Sequence, residues 1–358
     1  PLTIDAALGD SSRDAGFQKA TTPRPFNFPQ DHGPHPEFRQ EWWYVTGNLA
    51  TTDGKRHFGY QWTLFRIGLQ PDPPAPDASA WRTNGLYLGH LALSDIESGR
   101  FHHFQRLIRP ALGMAGAEAE PFRVWLEDWS LAMVGGSQTQ PNFKLVAAQE
   151  GIALDLKLDA LKPVVLQGEQ GLSRKSAEHD AASYYFSLTR LKTRGEIQVN
   201  GERHRVEGSS WFDREWSSSA LTPEQAGWDW FALQLDDGRE LMFYRMRLKN
   251  GQDDGASQGI LIEADGRTVR LEQSQWRQRE IGQWTSPKTG NRYPAGWEIE
   301  LPDQGLRLEV IPRLADQELA NAALHYWEGA VTVQGRSNGM ALGGVGYVEL
   351  TGYGVARP

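Results

Sequence analysis

The sequence predicts an all-β protein built as two barrel-like halves. Three observations point there. Short runs alternate apolar and other residues with period two, as half-buried strands do. Asp-Gly and Asn-Gly pairs separate these runs, and such pairs tolerate the positive φ angles of tight hairpins. Long amphipathic helices are missing, because 38 Gly and 20 Pro punctuate the chain too often. Many antiparallel hairpins at short spacing make a sandwich or barrel, whereas a doubly wound fold needs helices between its strands.

The first 25 residues have no clear period and read as a loosely attached arm. Phe58, Tyr60, Trp62 and Leu64 share one strand face, after a turn at Thr52-Asp53-Gly54-Lys55. Pro71–Ala80 and Pro110–Glu120 read as loops. Ile152, Leu154, Leu156 and Leu158 form a face opposite Asp155 and Lys157. Asn200-Gly201 turns the chain from Gly195–Val199 into His204–Val206, and Asp236-Asp237-Gly238-Arg239 joins Trp228–Leu235 to Leu241–Leu248. Trp297, Ile299 and Leu301 repeat the alternation, as do Leu306, Leu308 and Val310; Ala315–Ala323 is the one short helix expected. The halves echo each other: Glu41-Trp42-Trp43-Tyr44 leads to a strand ending Phe65-Arg66, and Asp213-Arg214-Glu215-Trp216 leads to one carrying Tyr244-Arg245. The expected boundaries are an arm over 1–28, a first domain over 29–205 and a second over 206–358.

A chain of 358 residues fits two domains of middling size, and 39% hydrophobic with 23% charged residues allows a normal core. No apolar run reaches about 18 residues, so no membrane span is expected. A net charge of −8 argues against a nucleic-acid partner. The absence of cysteine removes disulfides, thiolate zinc sites and cysteine nucleophiles. Fourteen Trp, fourteen Phe and ten Tyr serve either sheet cores or an aromatic-lined cavity. The sequence has no Gly-X-Ser-X-Gly elbow, no His-Glu-X-X-His and no phosphate-binding glycine loop.

Seven blocks resemble one family. They are Asp31-His32-Gly33-Pro34-His35-Pro36 with Glu41–Gly47; Gly59–Arg66; His90–Asp95; Ser210–Trp216; Gly227–Phe231; Tyr326-Trp327-Glu328-Gly329; and Gly346–Tyr353. Together, from about Pro29 to Tyr353, they resemble the AttH / hydroxyneurosporene synthase (carotenoid hydratase) family, often labelled predicted secreted hydrolases. The resemblance implies two lipocalin-like antiparallel β-barrel domains packed together, with a cavity at or near their junction. It implies a hydrophobic ligand (lipid-, terpenoid- or polyene-like), and either a carrier associated with an ABC-transporter system or a hydratase or isomerase acting on a carbon–carbon double bond. It also implies an exported protein, periplasmic or secreted; the start at Pro1 without Met or an apolar stretch is read as a chain cut from a longer precursor. One departure stands out. The hydratases carry His-X-Trp upstream of an aromatic-X-Asp motif; here Trp211-Phe212-Asp213 is present, but the upstream position reads Tyr184-Tyr185-Phe186.

Hydrating an isolated double bond needs a proton donor, tolerance of a carbocation, and water. A carboxyl desolvated among aromatic rings keeps its proton at neutral pH, and ring faces attract positive charge. Asp213 and Glu215 share a strand face between Trp211 and Trp216, with Arg214 on the opposite face. They are the candidate catalytic residues. The competing reading pairs them with Arg66 or Arg245 in a structural ion network. Trp211, Trp216, Trp228 and Trp230 are the expected pocket walls, with Asp229 facing away from Trp228 and Trp230. Trp43, Trp62, Tyr185 and Arg245 are further ligand-contact candidates. Tyr326 and Glu328 share a face and serve either a ligand or a packed sheet. Glu41 reads as a polar anchor at the barrel mouth or a strand-start salt bridge. His90, alone in an apolar strand, is a ligand contact or a hydrogen-bonded core residue. His32 and His35 flank a Gly-Pro turn, and neither a metal nor a cofactor is expected.

Overall fold

The computed structural model describes residues 15–354 apart from 73–74, 76, 78, 80, 178–180, 218–220 and 321–324. Among the described residues the regular elements are strands and short 3-10 turns. Thirteen strands form the first sheet. It runs from the edge Arg100–Ile108 through Gly85–Asp95, His57–Gly68 and Gln40–Thr51 to Glu202–Ser217, then through Ala182–Val199 and Ile152–Ala160 toward Ala115–Ala119. The second sheet centres on Gln225–Leu235, Glu240–Leu248, Met340–Thr351 and His325–Ser337. All of these pairings are antiparallel. One sheet makes a nearly closed barrel and the other a half-barrel.

The structure moves four expectations. Glu202–Ser217 lies between Gln40–Thr51 and Ala182–Val199, so a boundary at 205 would split a first-sheet strand. The Asn200-Gly201 turn is a hairpin inside the first half, and the chain changes sheets between Ser217 and Gln225. Within the expected helix Ala315–Ala323, Glu318–Ala320 is a strand paired with His325–Trp327; residues 321–323 lie outside the described ones. Buried Leu319 and the donors to Glu318 from Thr289 (2.6 Å) and Tyr293 (2.8 Å) favour that edge pairing. In the second expected loop, Ala115–Ala119 pairs with Phe122–Leu126. The described part of the arm is not loose. Phe17 and Ala20 are buried, and Phe26 packs edge-on against Tyr184, Phe186 and Trp216. The expected Pro71–Ala80 loop and the first fourteen residues fall wholly or partly outside the described residues.

Alternate side chains fill three apolar layers. Trp43, Val45, Trp62, Leu64, Phe186, Phe212 and Trp216 occupy the interior of the first barrel. Phe231, Phe243, Trp297 and Trp327 fill the second. The opposite faces of the same strands meet between the halves: Tyr44, Tyr185 and Trp211 pack with Trp230, Tyr244, Met246, Ala330 and Tyr347. The halves touch closely. A Cβ on Gly59 would sit 2.5 Å from the Ala330 Cβ, so only glycine fits there. Lys162 of the first half donates to Glu240 (2.7 Å) and to the carbonyls of Gly238 and Glu263 in the second. Asn48 donates to the Gly346 carbonyl at 2.9 Å.

Candidate active site

A pocket of about 90 Å³ lies in that interface, on the outer faces of both sheets rather than inside either barrel. One water needs roughly 10–15 Å³ on this measure, so the space takes a compact group. The first half supplies Trp42, Tyr44, Thr63, Phe65, Lys175, Tyr185, Asp213 and Glu215. The second supplies Trp228, Trp230, Tyr244, Met246, Tyr326, Glu328 and Glu349. Sheet register assembles these walls. Tyr44 lies opposite both Asp213 and Thr63, and Trp42 opposite both Glu215 and Phe65. In the second half Trp230 faces Tyr244 and Glu349, and Glu349 faces Glu328. Tyr44 meets Trp230 edge-to-face, with ring centroids 5.3 Å apart.

Asp213 is the acid whose environment is most completely built. Its Oδ1 accepts the Trp211 indole N–H at 2.6 Å and the Ser187 hydroxyl at 2.5 Å. Its Oδ2 accepts the Tyr185 hydroxyl at 2.8 Å, and the Tyr185 oxygen accepts the Trp230 indole N–H at 3.2 Å. Burial pushes the carboxyl up to about 7; its three donors hold it down and the neighbouring Glu215 raises it. Glu215 has a different role. Lys175 Nζ lies 2.7 Å from its Oε1, and Ser183 donates to the same oxygen. Burial disfavours the Lys175 charge, but Glu215, Tyr244 and Asp213 together keep its pKa above the usual lysine value.

The opposite wall carries two more acids. Glu328 is 1% exposed, and neither carboxyl oxygen has a hydrogen-bond partner of good geometry. Burial and then Glu349 drive its pKa well above the ordinary value, while the nearby Tyr44 and Tyr326 hydroxyls act the other way. Glu349 is raised to about 7, by burial first and then by Glu215 and Asp213, against the Trp228 side chain and Lys175. Tyr326 Oη lies 2.6 Å from His90 Nδ1, whose Nε2 is 3.3 Å from Gln105 Oε1. With Nε2–H donating to Gln105, Nδ1 accepts the Tyr326 proton, which leaves the Tyr326 oxygen able to accept.

Among the expected site residues, Tyr185, Asp213, Glu215, Trp228, Trp230, Tyr326 and Glu328 come together in the pocket. Trp211 stands behind Asp213, and His90 behind Tyr326. Trp43, Trp62 and Trp216 do not reach it. They point the other way along their strands, into the first barrel's core. Arg245 is also elsewhere, bound to Asp253 (2.6 Å) and Glu280 (3.2 Å) and near Asp229 (3.7 Å), on the face opposite Trp228 and Trp230. The suggested pairing of Asp213 or Glu215 with Arg66 or Arg245 is replaced. Arg66 and Arg214 both bind fully buried Glu41 near the start of its strand, the salt-bridge alternative of the sequence reading, and Lys175 takes Glu215. His35 stacks on Trp216 at 3.8 Å and contacts Asp31 at 2.9 Å; His32 Nε2 meets the Gln138 carbonyl at 2.6 Å.

Sequence reasoning missed Trp42, Tyr44, Thr63, Phe65, Lys175, Tyr244, Met246 and Glu349. Alternation could have found Trp42 and Tyr44 once Asp213 was placed, and Glu349 lies within a quoted block. Lys175 comes from a loop and carries no local signal.

The family described as AttH-like matches residues 19–353. An AttH-assigned protein of Nitrosomonas europaea (NE1406) is 35% identical, with a TM-score of 0.82, covering 94% of this chain and 99% of that one. Kievitone hydratase from Nectria haematococca is 16% identical, with a TM-score of 0.68 over 94% of this chain and 98% of its own. CghA with Sch210972 is 13% identical, with a TM-score of 0.57 over 94% and 97%. The last two likenesses show a shared fold. No curated protein sequence matches the chain.

Proposed function

The chain belongs to the AttH-like family, and from that premise we propose that its interdomain pocket binds a hydrophobic, unsaturated small molecule and protonates it from Asp213. One observation carries the reading. Asp213 is a buried carboxyl poised at about 7, inside a pocket walled by Trp42, Phe65, Trp228 and Trp230. A general acid works best when its pKa lies near the operating pH. Because Oδ1 already takes two donors, the acidic proton belongs on Oδ2, beside Tyr185. From there it passes to the ligand directly or through the Tyr185 hydroxyl.

The proton adds to one carbon of a double bond and leaves positive charge on the other, which the ring faces stabilise. The carboxylate left behind keeps the donors Trp211, Ser187 and Tyr185. Water then adds to the cationic carbon and gives its proton to Glu349, which completes hydration; loss of a neighbouring C–H proton instead gives an isomer. A ligand recovered unchanged would mark the protein as a carrier that passes its cargo to a transporter.

The test starts with mass spectrometry of organic extracts from protein purified from its native host, to identify the ligand. That compound should quench the tryptophan fluorescence of wild type and Asp213→Asn alike. Turnover to a hydrated or isomerised product should fall about 10²–10⁴-fold in the variant. A variant with normal turnover would remove Asp213 from the role.

A further inference from the structure

The pocket holds more acid than the proton transfer uses, which draws on Asp213 as donor and Glu349 as acceptor of the water's proton. Of its four carboxyls, Glu215 is neutralised by Lys175 at 2.7 Å, the one lysine or arginine among the lining residues. Arg245 and Arg247 are turned to Asp229 on the far face of their sheet. Asp213 has three donors. Among the described residues Glu328 and Glu349 have no paired cation, and they are direct partners on adjacent antiparallel strands, a placement that brings Cβ atoms within about 4.5–5.5 Å. Both oxygens of Glu328 are buried and unmatched, as is the nearby Tyr44 hydroxyl. A buried carboxyl without a partner is costly, so it keeps a proton or takes a cation.

We infer that Glu328 and Glu349, with the rings of Trp42, Trp228, Trp230 and Tyr326, form a subsite for an organic cation, a compact quaternary or tertiary ammonium group. Aromatic faces attract such a group within about 6 Å. A metal ion fits less well. Its ligands would be oxygens rather than indoles, and among the described residues no group of three His, Cys, Asp or Glu is placed to hold one. The inference goes beyond the proton-transfer reading and needs no turnover. Within that reading, the same subsite faces the positive charge that protonation creates, and an ammonium ion imitates it.

The experiment compares benzyltrimethylammonium with its neutral carbon isostere neopentylbenzene, by calorimetry and tryptophan fluorescence. At pH 8 the cation should bind at least about tenfold more tightly. Its advantage should shrink below about pH 7, because pairing requires an ionised acid and Glu349 is held at about 7. The neutral compound should show no such trend. The groups facing the subsite are Asp213, Glu215, Lys175 and the phenols of Tyr44, Tyr185, Tyr244 and Tyr326. Among these Asp213 titrates in the same range, so the trend should persist in Asp213→Asn. Glu328→Gln and Glu349→Gln should each weaken the cation about tenfold and leave neopentylbenzene unchanged, which also checks their folding. If either variant fails to fold, the wild-type pH profile decides. Equal affinity for the two compounds, a preference untouched in both variants, or no cation binding would overturn the subsite. Equal affinity would still leave the aromatic pocket and the Asp213 acid standing.

Discussion

Replacing Asp213 with asparagine should make this protein's stability fall less with rising pH than that of wild type, while it lowers turnover. The folded chain raises the Asp213 carboxyl from 3.8 to about 7. Between those values the native state binds a proton that the unfolded chain has lost. Stability therefore falls as pH rises through this window and levels off above about 7. The full loss is at most about 4 kcal/mol, at 1.36 kcal/mol per decade of acidity constant. Asparagine never ionises, so it removes that loss. Its amide oxygen can keep the donors Trp211 and Ser187, and its NH₂ can donate to the Tyr185 oxygen. Any fixed cost of fitting the amide is the same at all pH values and cancels in the comparison. Urea unfolding followed by far-ultraviolet circular dichroism, from pH 4 to 8.5, reads the difference between variant and wild type. Relative to its value at pH 4, it should grow in the variant's favour through pH 7, by at most about 4 kcal/mol. A difference flat to within about 0.5 kcal/mol across that range would refute a desolvated, proton-holding Asp213.

Four further outcomes follow from the geometry. Lys175→Met leaves Glu215 buried without its cation and should cost about 3–5 kcal/mol in urea unfolding at pH 7. Trp62→Ala should cost about 3–5 kcal/mol with little change in ligand affinity per folded molecule, because Trp62 fills the barrel core. Half-buried Trp228→Ala should do the reverse, weakening ligand binding about tenfold with a smaller stability loss. Gly59→Ala places a methyl 2.5 Å from the Ala330 Cβ and 3.1 Å from the Tyr347 hydroxyl. It should lower stability by about 1–3 kcal/mol and weaken ligand binding as the halves shift apart, both measurable by melting and fluorescence titration.

Much of the architecture was legible. The alternation of Phe58, Tyr60, Trp62 and Leu64, the Asp-Gly and Asn-Gly turns and the lack of helical period required antiparallel sheets. The face shared by Asp213 and Glu215, with Arg214 reversed, was also readable and is what the register shows. Elsewhere parity was known but its direction was not. Trp43, Trp62 and Trp216 were assigned to the ligand, yet their neighbours Trp42, Thr63 and Glu215 line the pocket. A strand wet on one side reveals its inner face by polarity. These strands are dry on both, so Gln40–Thr51 and His57–Gly68 are almost wholly buried.

What the sequence determined by itself was local: strand period, turn chemistry, and which side chains share a face, all fixed by bonds and φ/ψ preferences between near neighbours. The tertiary structure alone decided which face became barrel core and which became pocket wall. It also brought Lys175 to Glu215, and Glu328 with Glu349 to the wall facing Asp213. Those choices depend on how two curved sheets pack against each other, and that packing balances desolvation and contact between residues far apart in the chain, which no short window of sequence contains.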